Sequence, residues 1–461
     1  MNHRYNEGAR MSHFRPIDRD TPYLLPPSVD EWLPQDHLAR FVVDIVEQLD
    51  LSALTRQYRG AGSAAYHPAM LLGLLIYGYA TGTYSSRRIE QATYESLAFR
   101  YIAANMQPDH DTLCAFRKRF LNEIESLFVQ VLGIAKEMKL LKLGTVALDG
   151  TKVHANASRH SALSYGHAEK LEAQLQAEVK ELLARAEAAD AEPLAEGLNI
   201  PEELARREAR LQAIAQAKAE IEARAAERFA REQGEYEAKV NAREDNQQRT
   251  GKKPRGKPPT PPTAGPSSND QVNLTDPDSR IMPAPGGGFE QSYNAQVAVD
   301  TDTMLVVASG LSQAANDKQQ LAPMLEALGE LPEDLGQVER LLADAGYFSE
   351  ANVSACIDAA IEPLLAAGRE GHHLSWQERF NEPPPVPESA DAVAQMRHRL
   401  NTRAGRAVYG LRKQTVEPVF GIIKAVMGFR QFLLRGCEEV QGEWSLVTMA
   451  WNIRRMAVLS G

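Results

Sequence analysis

TVALDGTKVHANAS, residues 145–158, is mostly apolar until it reaches an acid at Asp149, and then turns polar. The segment from Thr145 to Asp149 predicts a short strand that ends in that acid. A similar segment, RLLAD (Arg340 to Asp344), ends in Asp344, and Gly346 just after it permits a tight turn. Neighbouring parallel strands present their carboxyl ends together, so two strand-terminal carboxylates can share one cleft.

Between these two acids the pattern stays strand-like. YNAQVAVD (Tyr293 to Asp300) largely alternates apolar and polar residues, the period of a half-buried strand, and Asp300-Thr301-Asp302 predicts a hairpin turn into MLVVASG (304–310). A helix is expected from about Asp317 to Leu328, another over 349–360, and a strand PLLAA over 363–367. Three strands, two of them a hairpin, followed by alternating helix and strand, predict a mixed α/β sheet of ribonuclease-H-like order. Helical segments over 402–427, with a break expected near Pro418, and over 438–458 close the chain.

Upstream, residues 37–142 read as all-helical. His67-Pro68 starts an apolar helix to about Ala80; Ser85 and Ser86 can cap a second (RRIEQATYESL), and Thr112 a long third one reaching residue 141. Arg87 and Arg88 on the second and Arg117 and Arg119 on the third give the pair the look of a helix-turn-helix, although any helical bundle offers such pairs. Between the first two strands lies a long interruption. Residues 168–186 and 201–245 are rich in Ala, Glu, Leu, Arg and Lys at helical spacing, and the stretch from Pro193 to Pro201 breaks them into a hairpin or antiparallel coiled coil. Residues 249–268 follow with five basic residues and no acid, a Pro- and Lys-rich stretch that reads as a disordered or extended linker.

At 461 residues the chain has room for two or three domains, and 43% hydrophobic and 24% charged residues are those of an ordinary soluble protein. The longest apolar run, Leu71 to Ala80, is too short to cross a bilayer. The first twenty residues carry charges and no apolar stretch, so no secretory signal is expected; residues 1–10 read as a polar leader, with Met11 an alternative start. Cys114, Cys356 and Cys437 form no CxxC pair, which speaks against a disulfide framework or a zinc site and suits a reducing cytoplasm. The net charge of −10 conceals a segregation: Arg397 to Arg455 holds eleven Lys and Arg against four Glu, whereas acids crowd into 169–245 and 329–391. Binding to nucleic acid depends on where charge sits, not on its sum.

A third acid, Glu417, lies in the helix-prone TVEPVFGIIK, where Thr415 could cap and Pro418 would be tolerated in the first turn. A helix on the sheet can aim Glu417 into the cleft of Asp149 and Asp344. Three carboxylates suit Mg²⁺, or Mn²⁺, which prefer oxygen ligands, and two such ions stabilise the attacking and leaving oxygens of a phosphoryl displacement. With 61 acids in the chain, three at the ends of elements are cheap to find, and each alone is more often a turn or cap residue. The surroundings of Glu417 add weight: Tyr409, Arg412, Lys413 and Lys424 lie within sixteen residues, and Lys424 falls two helical turns beyond Glu417. Lys152 and His154, close behind Asp149, are further candidates to touch substrate. His372-His373 reads as surface loop, Asp317 as a helix cap, and Trp444 and Trp451 as core.

TVALDGTKVHANAS, LLADAGYFS and TVEPVFGIIK resemble the three catalytic blocks of bacterial insertion-sequence transposases of the Asp-Asp-Glu (DDE) class, in the branch with a Tyr-Arg-Glu-Lys signature around the glutamate. RPIDRDTPYLLPPSVDEWLPQDHLARFV and PDHDTLCAFRKRF are similar to that branch's N-terminal domain, so the resemblance covers nearly all of the chain outside 168–270. It implies that Asp149, Asp344 and Glu417 bind metal and that Tyr409 and Lys424 contact DNA. In the usual signature three residues separate the Arg from the Glu. Here four separate Arg412 from Glu417, and Lys413 keeps the spacing without being Arg, so either could hold the phosphate.

The expected organisation is a leader and extended segment (1–36), a helical DNA-binding domain (37–142), a ribonuclease-H-like catalytic domain in two pieces (143–167 and 271–461), and the insertion (168–270). The expected function is metal-dependent cleavage and strand transfer of double-stranded DNA at the element's ends and target. A homodimer on DNA is expected, in the cytoplasm and nucleoid-associated when bound. The alternatives are a nuclease of the same fold without strand transfer, and an inactive DNA-binding derivative.

Overall fold

A computed structural model of the chain describes residues 28–58, 65–188, 199–251, 256–284, 287–368, 382–387 and 390–461. The expected leader, Pro193, His372-His373 and the linker cations Lys252, Lys253 and Arg255 lie outside the described residues.

The first part is helical: α1 (Val29–Trp32), α2 (Leu38–Gln48), α3 (Ser52–Thr55), α4 (Pro68–Thr81), α5 (Ser86–Glu95), α6 (Leu97–Ile102), α7 (His110–Arg119) and α8 (Leu121–Glu137). His67 caps α4, its Nδ1 accepting from the Ala69 N–H at 3.2 Å, and Pro68 sits in the first turn, where a missing N–H costs nothing. α4 is apolar around most of its circumference and is accordingly buried on nearly every side. The single long helix expected from Thr112 is in fact two. Asp109 is the cap, accepting from the Thr112 N–H at 2.8 Å, and Phe120 leaves helical geometry between α7 and α8 with its ring buried. Ser85 occupies the cap position of α5 without a side-chain bond.

Eight strands follow among the described residues: β1 (Thr145–His154), β2 (Ala162–Ser164), β3 (Gln271–Asn273), β4 (Arg280–Pro283), β5 (Phe289–Asp300), β6 (Val306–Ser312), β7 (Arg340–Ala343) and β8 (Glu362–Leu365). Six of them form the mixed sheet, in the order β4–β5–β1–β7–β8 with β6 also on β5. β5 is antiparallel to β1, β4 and β6, whereas β7 is parallel to β1 and β8. β4 was not expected, because four residues are too few to show a period. Nor does Asp149 end its strand. β5 keeps pairing with β1 as far as His154, with Asp149 opposite Val297. What stops near Asp149 is the other neighbour: β7 matches β1 only from Thr145↔Arg340 to Ala147↔Leu342 and ends at Ala343. Asp149 thus lies just past the end of β7, level with the chain that carries Asp344.

Between β2 and β3 the chain leaves the body as α9 (Tyr165–Ala188) and α10 (Ile200–Thr250). At 51 residues α10 spans about 75 Å. The two helices share a small core of Ala168, Leu175, Ile214, Ala217 and Ile221, closed at its base by Leu163 and Val272. Arg207–Glu178 and Lys218–Glu172, each at 2.8 Å, join them in antiparallel order. α10 outruns α9. Its second half lies along the described part of the Pro-rich stretch, where Arg228 pairs with Asp270 and Arg243 donates to the carbonyls of Gly256 and Lys257.

The closing helices are α11 (Leu321–Gly329), α12 (Glu350–Asp358), α13 (Ala392–Asn401), α14 (Arg403–Gly421) and α15 (Cys437–Ser460). α14 passes through Pro418 without the expected break and runs into a π turn over Ile422–Val426. The proline removes one N–H from the ladder, and the π turn begins four residues after it. Thr415 caps nothing, its hydroxyl donating to the Leu411 carbonyl at 2.7 Å. α15 is buried from Val440 to Met456 and touches α2, α4, α8 and β6, so one continuous core joins the helical part to the sheet. Trp444 and Trp451 lie in it, donating to the carbonyls of Gln296 and Met304; truncating either to Ala costs about 3 kcal/mol or more. Asn452 bonds both the N–H and the carbonyl of Val306. Among the described residues no helix is long and apolar enough to cross a membrane.

Candidate functional site

The end of β7 gathers the residues singled out in the sequence. Asp149 is mostly buried, with its side chain 19% exposed, and its Oδ1 accepts from the Gly150 N–H at 2.8 Å. Asp344 follows β7 directly and holds the turn Ala345–Tyr347, accepting from the Gly346 N–H at 2.8 Å. α14 brings Glu417 to the same place through Arg412. One guanidinium nitrogen of Arg412 lies 3.1 Å from Asp149 Oδ2, and the other 3.7 Å from Glu417 Oε1. Tyr409 fixes the same helix to the sheet, its hydroxyl donating to the Ala343 carbonyl at 3.3 Å. Within the π turn, Lys424 Nζ donates to Thr151 Oγ1 at 2.6 Å and to the Lys152 carbonyl at 2.7 Å.

One residue at this place was assigned elsewhere by the sequence. Asp317 caps no helix, since α11 begins only at Leu321. Its Oδ1 instead accepts from Asn294 Nδ2 at 2.7 Å and from Gln296 Nε2 at 2.9 Å. The signal was present in YNAQVAV: two amides in a strand buried on both faces must find polar partners. Burial pushes the Asp149 carboxyl up to about 6; Asp344 and Asp317 add to the rise, and the Gly150 N–H and Arg412 oppose it. The fully buried Tyr347 hydroxyl, which donates to Gln296 Oε1, is raised by burial and by the same three acids. Burial, with Lys152 and Arg430 nearby, lowers Lys424.

Two protein families match the chain. Residues 27–119 match a transposase domain (DUF772), and residues 386–457 match a transposase DDE domain. The chain is an insertion-sequence transposase of the DDE class. No curated protein and no solved structure matches it. The first match spans α1 to α7 of the transposase; the second spans α13 to α15 nearly to its end and includes Arg412, Glu417 and Lys424.

The cations expected to meet DNA divide by exposure. Arg87 and Arg88 at the start of α5, Arg119 on α7 and Lys413 on α14 are exposed, and Lys152 is half-buried. Arg117 is not available to DNA as placed: it is 5% exposed, donates to the Tyr79 hydroxyl at 3.0 Å, and is held by the nearby buried Glu443. Its position on the inner face of α7, towards α4 and α15, is the reason. Arg412, 8% exposed, faces the acids, whereas Lys413 faces outward.

Transposases of this class use divalent metal ions. Among the described residues no three His, Cys, Asp or Glu side chains are close enough to hold one as they stand, since Arg412 lies between Asp149 and Glu417. The donors nonetheless fit: they are hard carboxylate oxygens, and the burial that raises Asp149, with a smaller push from Asp344 and Asp317, is what a divalent cation beside it offsets.

Proposed function

We propose that this transposase cuts and joins DNA at a centre in which Asp149, Asp344 and Glu417 are ligands for Mg²⁺ or Mn²⁺, on a ribonuclease-H-like sheet. The observation that carries the reading is Arg412 bridging Asp149 and Glu417 beside the end of β7, where Asp344 leaves the sheet. A pair of divalent ions supplies stabilisation of the attacking and leaving oxygens of an in-line displacement at phosphorus. Water displaces one strand and leaves a 3′-hydroxyl, which then attacks a target phosphorus. Each step exchanges one P–O bond for another, so no covalent protein intermediate is needed.

The chain's own side chains position the reactants. Arg412 orients Asp149 and Glu417, Tyr409 fixes α14 beside Asp344, and Lys424 stands against Thr151 at the rim of the cleft. Exposed Lys413 and half-buried Lys152, which lies beside Lys424, are the cations offered to the phosphates of the scissile strand, and Arg87, Arg88 and Arg119 to those of a flanking duplex. Two copies bridge two element ends, and the α9–α10 arm serves that assembly. The same reading sets its work in the cytoplasm, on the nucleoid when bound to DNA. Incubating the purified transposase with Mg²⁺ and the DNA flanking its own gene tests it: joined products are expected, and cleavage without joining would reduce the activity to that of a nuclease.

A further inference from the structure

We propose that Asp317 is a further acid of this centre and takes a divalent cation together with Asp344, an inference that rests on the metal-dependent reading above. Asp317 is wedged between the two glycines that follow the strand acids. A methyl group on Gly346 would lie 2.9 Å from Asp344 Oδ1 and 3.7 Å from Asp317 Oδ2. One on Gly150 would lie 2.6 Å from Asp317 Oδ1, 2.2 Å from Gln296 Nε2 and 3.0 Å from Asn294 Oδ1. Both glycines therefore leave room for the Asp317 carboxylate, one on each of its oxygens.

The carboxylate is held rigidly. Asn294 and Gln296 both donate to Oδ1, which turns Oδ2 towards Asp344, and the Tyr347 hydroxyl fixes Gln296 from behind. Asn294 adds an independent sign of a missing partner. Its Nδ2 donates to two acceptors, Asp317 Oδ1 and the Ala314 carbonyl, so its amide orientation is settled. Its Oδ1 is then a fully buried acceptor with no hydrogen-bond partner, beside the same point as Asp317 Oδ1. A buried acceptor left next to a carboxylate calls for a cation or a donor. Hard oxygens from Asp317, Asp344 and Asn294, with Asp149 near, are a set that Mg²⁺ or Mn²⁺ takes.

Mn²⁺ titrated into the full chain, with free ion counted by electron paramagnetic resonance, reads the site without turnover. Asp317→Asn keeps Oδ1 as acceptor for both amides while removing the charge, and should weaken Mn²⁺ binding at least about tenfold. Gly346→Ala keeps every carboxylate but fills the gap between Asp344 and Asp317, and should weaken binding in the same direction; circular dichroism melts check that both fold. If Asp149→Asn weakens binding while Asp317→Asn and Gly346→Ala titrate like the wild type, Asp317 is no ligand and the Asp149–Asp344–Glu417 reading survives. If the wild type itself binds no Mn²⁺, both readings fall.

Discussion

Arg412 and Asp149, 263 residues apart in the chain, meet at 3.1 Å with little exposure of either side chain, tying the last third of the chain to its first strand. The pair is partly offset by desolvation, but breaking it from one side strands several carboxylates together. Arg412→Gln should destabilise the fold by about 3 kcal/mol, and Arg412→Lys by less. Urea unfolding measures both, and an Arg412→Gln midpoint equal to that of the wild type would mean the pair contributes nothing.

Replacing Asp149, Asp344 or Glu417 by Ala should abolish nicking while leaving binding to the element ends largely intact, because in the function proposed above these acids hold the metal ions and not the flanking phosphates. Nicking and gel-shift assays on the same preparations check it. Wild-type nicking by Asp344→Ala would show that the second acid is misassigned.

Exposure decides which cations should answer to salt. Lys413→Ala is expected to lower the slope of log affinity against log salt by about one unit, as one phosphate contact does. Arg117→Ala should leave that slope alone. Its cost is in stability, about 3 kcal/mol, because Glu443 and Tyr79 lose their buried cation. A slope that moves with Arg117 and not with Lys413 would reverse the assignment.

The arm has its own small core and leaves the body where Tyr165 N–H meets the Asp270 carbonyl at 2.8 Å, so its ends are already together. Replacing residues 168–270 by a short Gly/Ser loop should leave a folded chain that still nicks. Dimerisation or paired-end assembly should be lost first. Ultracentrifugation beside the nicking assay checks this, and a dimeric, strand-joining deletion variant would show the arm dispensable.

Local pattern determined much of this protein. YNAQVAVD and the apolar runs before Asp149 and Asp344 specify strands, but β5 is buried on both faces and not half-buried as its alternation predicts, because elements far away in the chain cover its polar side. Two Ala- and Glu-rich helices, α9 and α10, flank Pro193, with Pro201 in the first turn of α10, and His67-Pro68 starts α4. TVALDG, LLADAG and TVEPVF give the three acids in order, as the resemblance to transposases required. Tertiary structure decided the rest, because strand ends, buried faces and polar partners depend on residues far away. β5 extends β1 past Asp149, and it is the shortness of β7 that leaves the carboxylate beyond a strand end. The contact of α7 with α4 turns Arg117 inward, towards Tyr79 and Glu443, and the register of α14 on the sheet, not the spacing of the signature, puts Arg412 rather than Lys413 against the acids. Asp317 looks like any helix-start aspartate until the sheet sets Asn294 and Gln296 beside it, since a carboxylate's role follows from the donors and charges that surround it in space.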